Sequence, residues 1–170
     1  MLDPLPLGST DEERERHYDQ VLDRIDAILD GEDDWIAAMA TVACELHHAF
    51  GYYDWTGFYR TVGPELLKIG PYQGGHGCLE ISFDRGVCGA AARTQETQLV
   101  PDVHAFAGHI ACSSSTLSEV VVPILEPSGS VLGVLDVDSD SPGAFRQVDA
   151  RRLESLCQLL GSRFGSAAGF

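Results

Sequence analysis

The chain has 170 residues, 44% hydrophobic and 22% charged, which is one domain's length at ordinary globular composition. Its net charge is −15 and its eleven basic residues are spread along the chain, so there is no basic patch and nucleic acid and anionic membrane surfaces are excluded as partners. No apolar run approaches the ~18 residues of a membrane span, and MLDPLPLGST lacks the features of a secretory signal, so the cytoplasm is the default location.

The acid is concentrated at the start: residues 1–34 carry twelve acidic and three basic side chains, read as the solvated face of an N-terminal helix. Ser9/Glu12 and Thr10/Glu13 both have capping-box spacing. Behind them Tyr18, Val21, Leu22, Ile25, Ile28 and Leu29 form one apolar stripe, ended by Gly31. A second helix is expected over about 34–50, with Ile36, Met39, Val42, Ala43, Leu46 and Phe50 inward. From Gly51 the period changes. Trp55–Arg60 and Glu65–Ile69 read as strands of a hairpin turning at Gly63-Pro64. A glycine-rich stretch, 70–77, precedes Cys78. Residues 86–93 read as a short alanine-rich helix and Thr97–Val100 as a strand. Residues 101–118 form a long irregular segment, a kind of loop that is usually functional. Glu119–Leu125 and Val131–Asp138 are strands joined through Pro127-Ser128-Gly129, and residues 145–163 form a last helix with Val148, Leu156, Leu159 and Leu160 inward.

The order α-α-β-β-loop-α-β-loop-β-β-α predicts one α+β domain over residues 1–170. Its N-terminal helices occupy 1–50, and its sheet, loops and C-terminal helix occupy 51–170. The terminal helices cover one face of an antiparallel sheet, and the ligand-site loops lie on the other, open face.

Five cysteines are too odd a set for a secreted disulfide framework. Cys44 and Cys157 lie on or beside apolar helix stripes and read as packing residues. Cys78, Cys88 and Cys112 lie in glycine-rich or irregular segments. Cys88, in Gly86-Val87-Cys88-Gly89, sits at a helix N-terminus, where free N–H groups and the dipole favour a thiolate. Taken alone, each could equally be a buried small residue. Their spacings match no C-x2-C zinc pattern, and His47 and His48 cannot share a helix face, so no metal site is expected. A Cys-His hydrolase pair has no oxyanion hole to go with it, and no phosphate-binding glycine motif is present. Alternation along Val134–Asp138 places Asp136 and Asp138 on one face. Glu119 begins the partner strand, in a register that the sequence leaves open. Trp55 and Tyr59 also share a face. An aromatic wall beside carboxylates suits the ammonium and apolar side chain of an amino acid.

Seven stretches in order carry a resemblance: Trp55-Thr56-Gly57-Phe58-Tyr59, Gly70-Pro71-Tyr72-Gln73-Gly74, Gly86-Val87-Cys88-Gly89, Pro101-Asp102-Val103-His104, Gly108-His109-Ile110-Ala111-Cys112, Ser118-Glu119-Val120-Val121-Val122-Pro123 and Gly133-Val134-Leu135-Asp136-Val137-Asp138. From about Asp54 to Leu160 the chain resembles the free methionine-(R)-sulfoxide reductases, stand-alone GAF-domain enzymes. The resemblance implies a GAF-like fold and reduction of free L-methionine (R)-S-oxide through a cysteine sulfenic acid and an intramolecular disulfide recycled by thioredoxin or a similar dithiol. It implies Cys112 as nucleophile, Cys88 as resolving cysteine in a Cys88–Cys112 disulfide, and Cys78 as an auxiliary. Trp55 and Tyr59 would surround the S-methyl group. Glu119, Asp136 and Asp138 would hold the amino acid, with Asp138 the proton donor. No metal or organic cofactor is implied, and the N-terminal helices would support a homodimer. Ser113 and Glu80 depart from the family's pattern of an aspartate and a basic residue. The alternative is a non-catalytic GAF sensor, which needs neither the cysteines nor the carboxylate cluster.

Overall fold

The computed structural model describes residues 2–110 and 112–165. Two helices come first, α1 (Asp11–Ile28) and α2 (Trp35–Ala49), followed by β1 (Trp55–Gly63), β2 (Leu66–Gln73), β3 (Glu80–Ser82), α3 (Gly86–Thr94), β4 (Gln98–Val100), a 3-10 turn (Val103–Ala105), β5 (Ser118–Leu125), β6 (Val131–Ser139) and α4 (Gln147–Phe164). The six strands form one antiparallel sheet in the order β3-β2-β1-β6-β5-β4. The first and last halves of the sheet thus meet at β1 and β6. Among the described residues no helix is long and apolar enough to cross a membrane.

Period-two alternation divides the sheet's side chains between two cores. Phe58, Val120, Val122, Ile124, Leu135 and Val137 face α1, α2 and α4. Tyr59, Val121 and Val134 point the other way and pack with Val87, Ala91 and Ala92 of α3 and with Val103. The second face is therefore not the open one expected from sequence: α3, with Val103, Phe106, Ile110 and Cys112, closes over it, because the small alanines let α3 lie flat on the strands. Ile28, Ile36 and Leu159, expected inward, are 46%, 47% and 36% exposed at the margins of their helices.

Of the two capping boxes, Thr10/Glu13 forms: the Glu13 N–H donates to Thr10 Oγ1 at 3.3 Å and the Thr10 N–H to Glu13 Oε2 at 2.7 Å. Asp34 caps α2 by accepting from the Ala37 N–H at 2.8 Å. The acidic face of α1 is more than a solvated surface. Glu15, Asp19 and Asp26 pair with Arg151, Arg152 and Arg163 of α4. Beneath them Arg14 is fully buried and paired with Asp149. Asp149 also accepts from the Tyr18 and Tyr52 hydroxyls, each at 3.0 Å, and from the Arg146 N–H at 2.8 Å. Arg14 donates in addition to Ala144 O and Leu7 O. The ionic core joins α1 to α4 with most of its polar atoms satisfied.

β2 runs on through Gly70 and Pro71 to Gln73, where a glycine-rich loop was expected. Its partner β3 pairs only with Leu66–Lys68, and the β1–β2 register shifts between Gly57 and Tyr59. Pro71 therefore lies at a bulge on a stretch of strand with one free edge, where its missing N–H costs nothing.

Candidate active site

The strand register builds the site. On the α3 side of the sheet, Trp55 of β1 lies directly opposite Asp138 of β6, and Asp138 lies directly opposite Glu119 of β5. The next row on that face is Gly57, Asp136 and Val121, and the one after it begins Tyr59, Val134. Three carboxylates and two aromatics from three strands thus meet on one face, as alternation predicts for Asp136/Asp138 and for Trp55/Tyr59. The register that sequence left open is the one that brings Glu119 to them.

Gly57 makes the wall possible. A Cβ there would come within 2.5 Å of the Trp55 ring and 2.4 Å of Tyr72 Cβ. The indole therefore folds back over the glycine and stacks between Tyr59, at 5.9 Å between ring centroids, and Tyr72, at 5.4 Å. Its Nε1–H donates to Gly75 O at 3.0 Å. Gly77 is constrained in the same way, since a Cβ would stand 2.9 Å from the Tyr59 hydroxyl. The sequence reading did not single out Tyr72 as a site residue, although its place opposite Gly57 on β2 puts it beside the indole.

Cys112 and Cys78 are joined by a disulfide, with 5.2 Å between their Cα atoms, while Cys44, Cys88 and Cys157 are free. This corrects the pairing that the resemblance implied. Cys88 is not bonded to Cys112, because its thiol is buried on α3 and turned to the sheet, donating to Asp136 Oδ2 at 3.3 Å. Nor does the helix N-terminus make Cys88 a thiolate. Burial, then the neighbouring Asp136 and Glu119 carboxylates, push its pKa well above the ordinary thiol value. Cys78, at the end of the glycine-rich stretch after β2, is the cysteine that reaches the loop carrying Cys112. Ala111, between Ile110 and Cys112 in the Gly108–Cys112 motif, lies outside the described residues.

The cavity enclosed by these groups measures about 30 Å3 and is lined by Trp55, Tyr59, Cys88, Cys112, Glu119, Asp136 and Asp138, with His76, His109 and Thr116 at its sides. It meets an outer depression of about 480 Å3 that shares Trp55, His76, Cys112, Thr116 and Asp138 with it. Thr116 and His109 come from the irregular 101–117 segment and were not assigned a role from sequence. No strand or helix period marks that stretch.

The electrostatics follow from three acids in one buried place. Burial raises the pKa of Glu119, and the Asp136 and Asp138 charges raise it further. Burial likewise raises Asp138, with Asp136 adding to it and a Thr116 hydrogen bond partly offsetting it. Asp136 is raised to about 7 by burial, against the lowering effect of hydrogen bonds from Cys88 and Glu119. The row therefore holds protons near neutrality, and a cation entering the site would draw them off. Such a row can protonate a departing oxygen and can also accept an ammonium.

The GAF domain family model matches residues 34–164. The free methionine-R-sulfoxide reductase of Saccharomyces cerevisiae is 40% identical over 153 residues, covering 86% of this chain and 85% of the yeast protein. That of Escherichia coli is 37% identical over 130 residues, covering 76% of this chain and 78% of its own. Among solved structures, the free methionine-R-sulfoxide reductase of Neisseria meningitidis in complex with its substrate superposes with a TM-score of 0.86 at 39% identity, covering 98% of each chain. The motifs that build the cavity and these likenesses over most of the chain agree, and the chain belongs to the free methionine-R-sulfoxide reductase family of GAF-domain proteins.

Proposed function

We propose that the protein reduces free L-methionine (R)-S-oxide to L-methionine. The observation that carries the reading is a disulfide-forming cysteine, Cys112, in the wall of a cavity floored by Glu119, Asp136 and Asp138 and sided by Trp55 and Tyr59. The carboxylates accept the substrate's ammonium, and Trp55 and Tyr59 pack around the S-methyl group. In the reduced enzyme the Cys112 thiolate attacks the sulfoxide sulfur while Asp138 delivers a proton to the oxygen. The oxygen passes to Cys112 sulfur, leaving methionine and a cysteine sulfenic acid. The Cys78 thiol then attacks that sulfur, water leaves, and the Cys78–Cys112 disulfide forms. An external dithiol such as thioredoxin restores both thiols by exchange. Cys88 takes no part in the covalent cycle and keeps its proton on Asp136. The reaction runs in one domain spanning the chain, in the cytoplasm, and the N-terminal helices are the surface for a homodimer.

The test is an assay of the (R) and (S) epimers of free methionine sulfoxide and of N-acetylmethionine sulfoxide, with dithiothreitol and with thioredoxin. Turnover of the free (R) epimer, with at least a tenfold loss on N-acetylation, is expected. Equal rates on free and N-acetylated substrate would overturn the reading of the carboxylates. No turnover of any of them with either reductant would overturn the reductase.

A further inference from the structure

We infer that Leu79, with the free edge of β3 beside it, is the docking surface for the protein that reopens the Cys78–Cys112 disulfide, and that the incoming thiol attacks Cys78. The occupant is a protein dithiol set in an apolar surface, of the thioredoxin class. The inference rests on the disulfide cycle proposed above and adds the place where its reductant binds.

Leu79 is 72% exposed, the most exposed large apolar side chain among the described residues. One exposed leucine is ordinary on a protein surface. This one follows the half-buried Cys78 directly, so a partner that covers it lies against the disulfide. It is also held in place, because the Ile69 N–H donates to Leu79 O at 3.1 Å. Lys68 lies opposite Glu80, so Ile69 lies opposite Leu79, and the Leu79 backbone groups turn towards β2. The Glu80 N–H and C=O therefore turn outward. β3 is the last strand on its side of the sheet, so no strand of this chain pairs with them. Lys68 Nζ stands 3.1 Å from the Glu80 carboxylate and neutralises it. A partner segment laid along this edge can pair with Glu80 through its backbone and cover the Leu79 side chain.

The two sulfurs are not equally approachable. Cys112 lines the inner cavity and the outer depression, where Asp54, Asp138 and Asp140 also stand; Cys78 lines neither. A depression of about 480 Å3 admits a small thiol, not the face of a protein. Attack at sulfur runs in line with the bond that breaks, so a thiolate reaching Cys78 comes from the side opposite Cys112, away from the cavity. That thiolate bonds to Cys78 Sγ, the S–S bond breaks, and Cys112 leaves as a thiolate that takes up a proton. The reductant's second thiol then displaces Cys78 and yields its proton to it. Two electrons pass to this chain, and the reductant is left as a disulfide.

The experiment follows the appearance of free thiols in the oxidised full chain, with no sulfoxide present, on adding thioredoxin or, separately, dithiothreitol. Leu79→Ser should slow reduction by thioredoxin about tenfold or more, the loss of one buried aliphatic contact, and leave the rate with dithiothreitol within about twofold. Leu79→Met should restore most of the thioredoxin rate. A thioredoxin whose second cysteine is replaced by serine should be trapped on Cys78, read by peptide mapping after alkylation. An unchanged thioredoxin rate in Leu79→Ser, an equal fall with dithiothreitol, or a trap on Cys112 would overturn the docking surface. The readout needs no turnover of sulfoxide, so a Leu79-dependent reduction by thioredoxin in a protein that reduces no methionine sulfoxide would overturn the proposed activity and uphold the docking surface.

Discussion

Replacing Asp136 by Asn should stabilise the protein while impairing it, and the gain should depend on pH. Below about pH 4 Asp136 is protonated in both folded and unfolded chains, so it contributes no pH dependence. Between about pH 4 and 7 the unfolded chain ionises while the folded one keeps its proton, so unfolding releases a proton and stability falls as pH rises. The rise from an ordinary 3.8 to about 7 corresponds, at ~1.4 kcal/mol per pH unit, to on the order of 4 kcal/mol lost by pH 8. Asn cannot ionise and escapes that loss, although its amide must find a partner among Glu119 and the cavity, which costs about 1–2 kcal/mol. A net gain of roughly 2–3 kcal/mol at pH 8 is a rise in Tm of about 4–12 °C for a domain of this size. The measurement is thermal unfolding of wild type and Asp136→Asn at pH 4 and pH 8, with kcat/KM for methionine sulfoxide measured in parallel. The increment should disappear at pH 4, and kcat/KM should fall at least tenfold. An unchanged or lowered Tm at pH 8, or an equal gain at both pH values, would refute the claim that burial holds this carboxyl protonated.

Four other substitutions follow from the structure. Cys112→Ser should abolish reduction, whereas Cys78→Ser should give about one methionine per enzyme in a single-turnover assay and then stall with thioredoxin; full steady-state turnover by Cys78→Ser would remove it from the cycle. Arg14→Ala leaves Asp149 buried and unpaired and should cost about 3–5 kcal/mol in urea unfolding, with activity per folded molecule unchanged in native buffer; a loss below about 1 kcal/mol would mean that water replaces the guanidinium. Gly57→Ala puts a Cβ 2.5 Å from the Trp55 ring, so the indole must move. Its kcat/KM should fall about tenfold or more and its tryptophan emission should shift, and a variant with wild-type values of both would show that the wall yields without consequence.

Much of the fold is legible in sequence because periodicity reports which side of an element is buried. The stripe Tyr18, Val21, Ile25 and Leu29 and the alternation of Val134–Asp138 each identify an element and its inward face. What the sequence does not carry is set by contacts between distant segments. Arg14 sits on a helix full of charge and looks solvated until Asp149, 135 residues away, is brought to it. β3 is three residues long and pairs only with Leu66–Lys68, too short for a period to show. Which cysteine Cys112 meets depends on how the 101–117 segment lies over the sheet, and no pattern within that segment encodes its path.

The fold gives Cys78 and Cys88, of similar sequence context, different settings, and the proposed cycle assigns them different parts. Cys88 is on a helix that the alanines press onto the sheet, so its sulfur is fixed against Asp136 and its proton is held by burial and by negative neighbours. A thiol in that setting is a poor nucleophile at neutral pH. Cys78 and Cys112 are both half-buried and both on irregular segments, where backbone can move to bring sulfurs together and part them again. A disulfide cycle needs that movement, and with the bond formed the cavity measures about 30 Å3, far less than an amino acid needs. Methionine sulfoxide should therefore bind only after the Cys78–Cys112 bond is reduced. Calorimetry on the Cys112→Ser variant, which cannot close, should give a binding heat that the oxidised wild type lacks. Equal affinity for both would mean that the substrate sits in the outer depression and that opening of the disulfide does not gate the site.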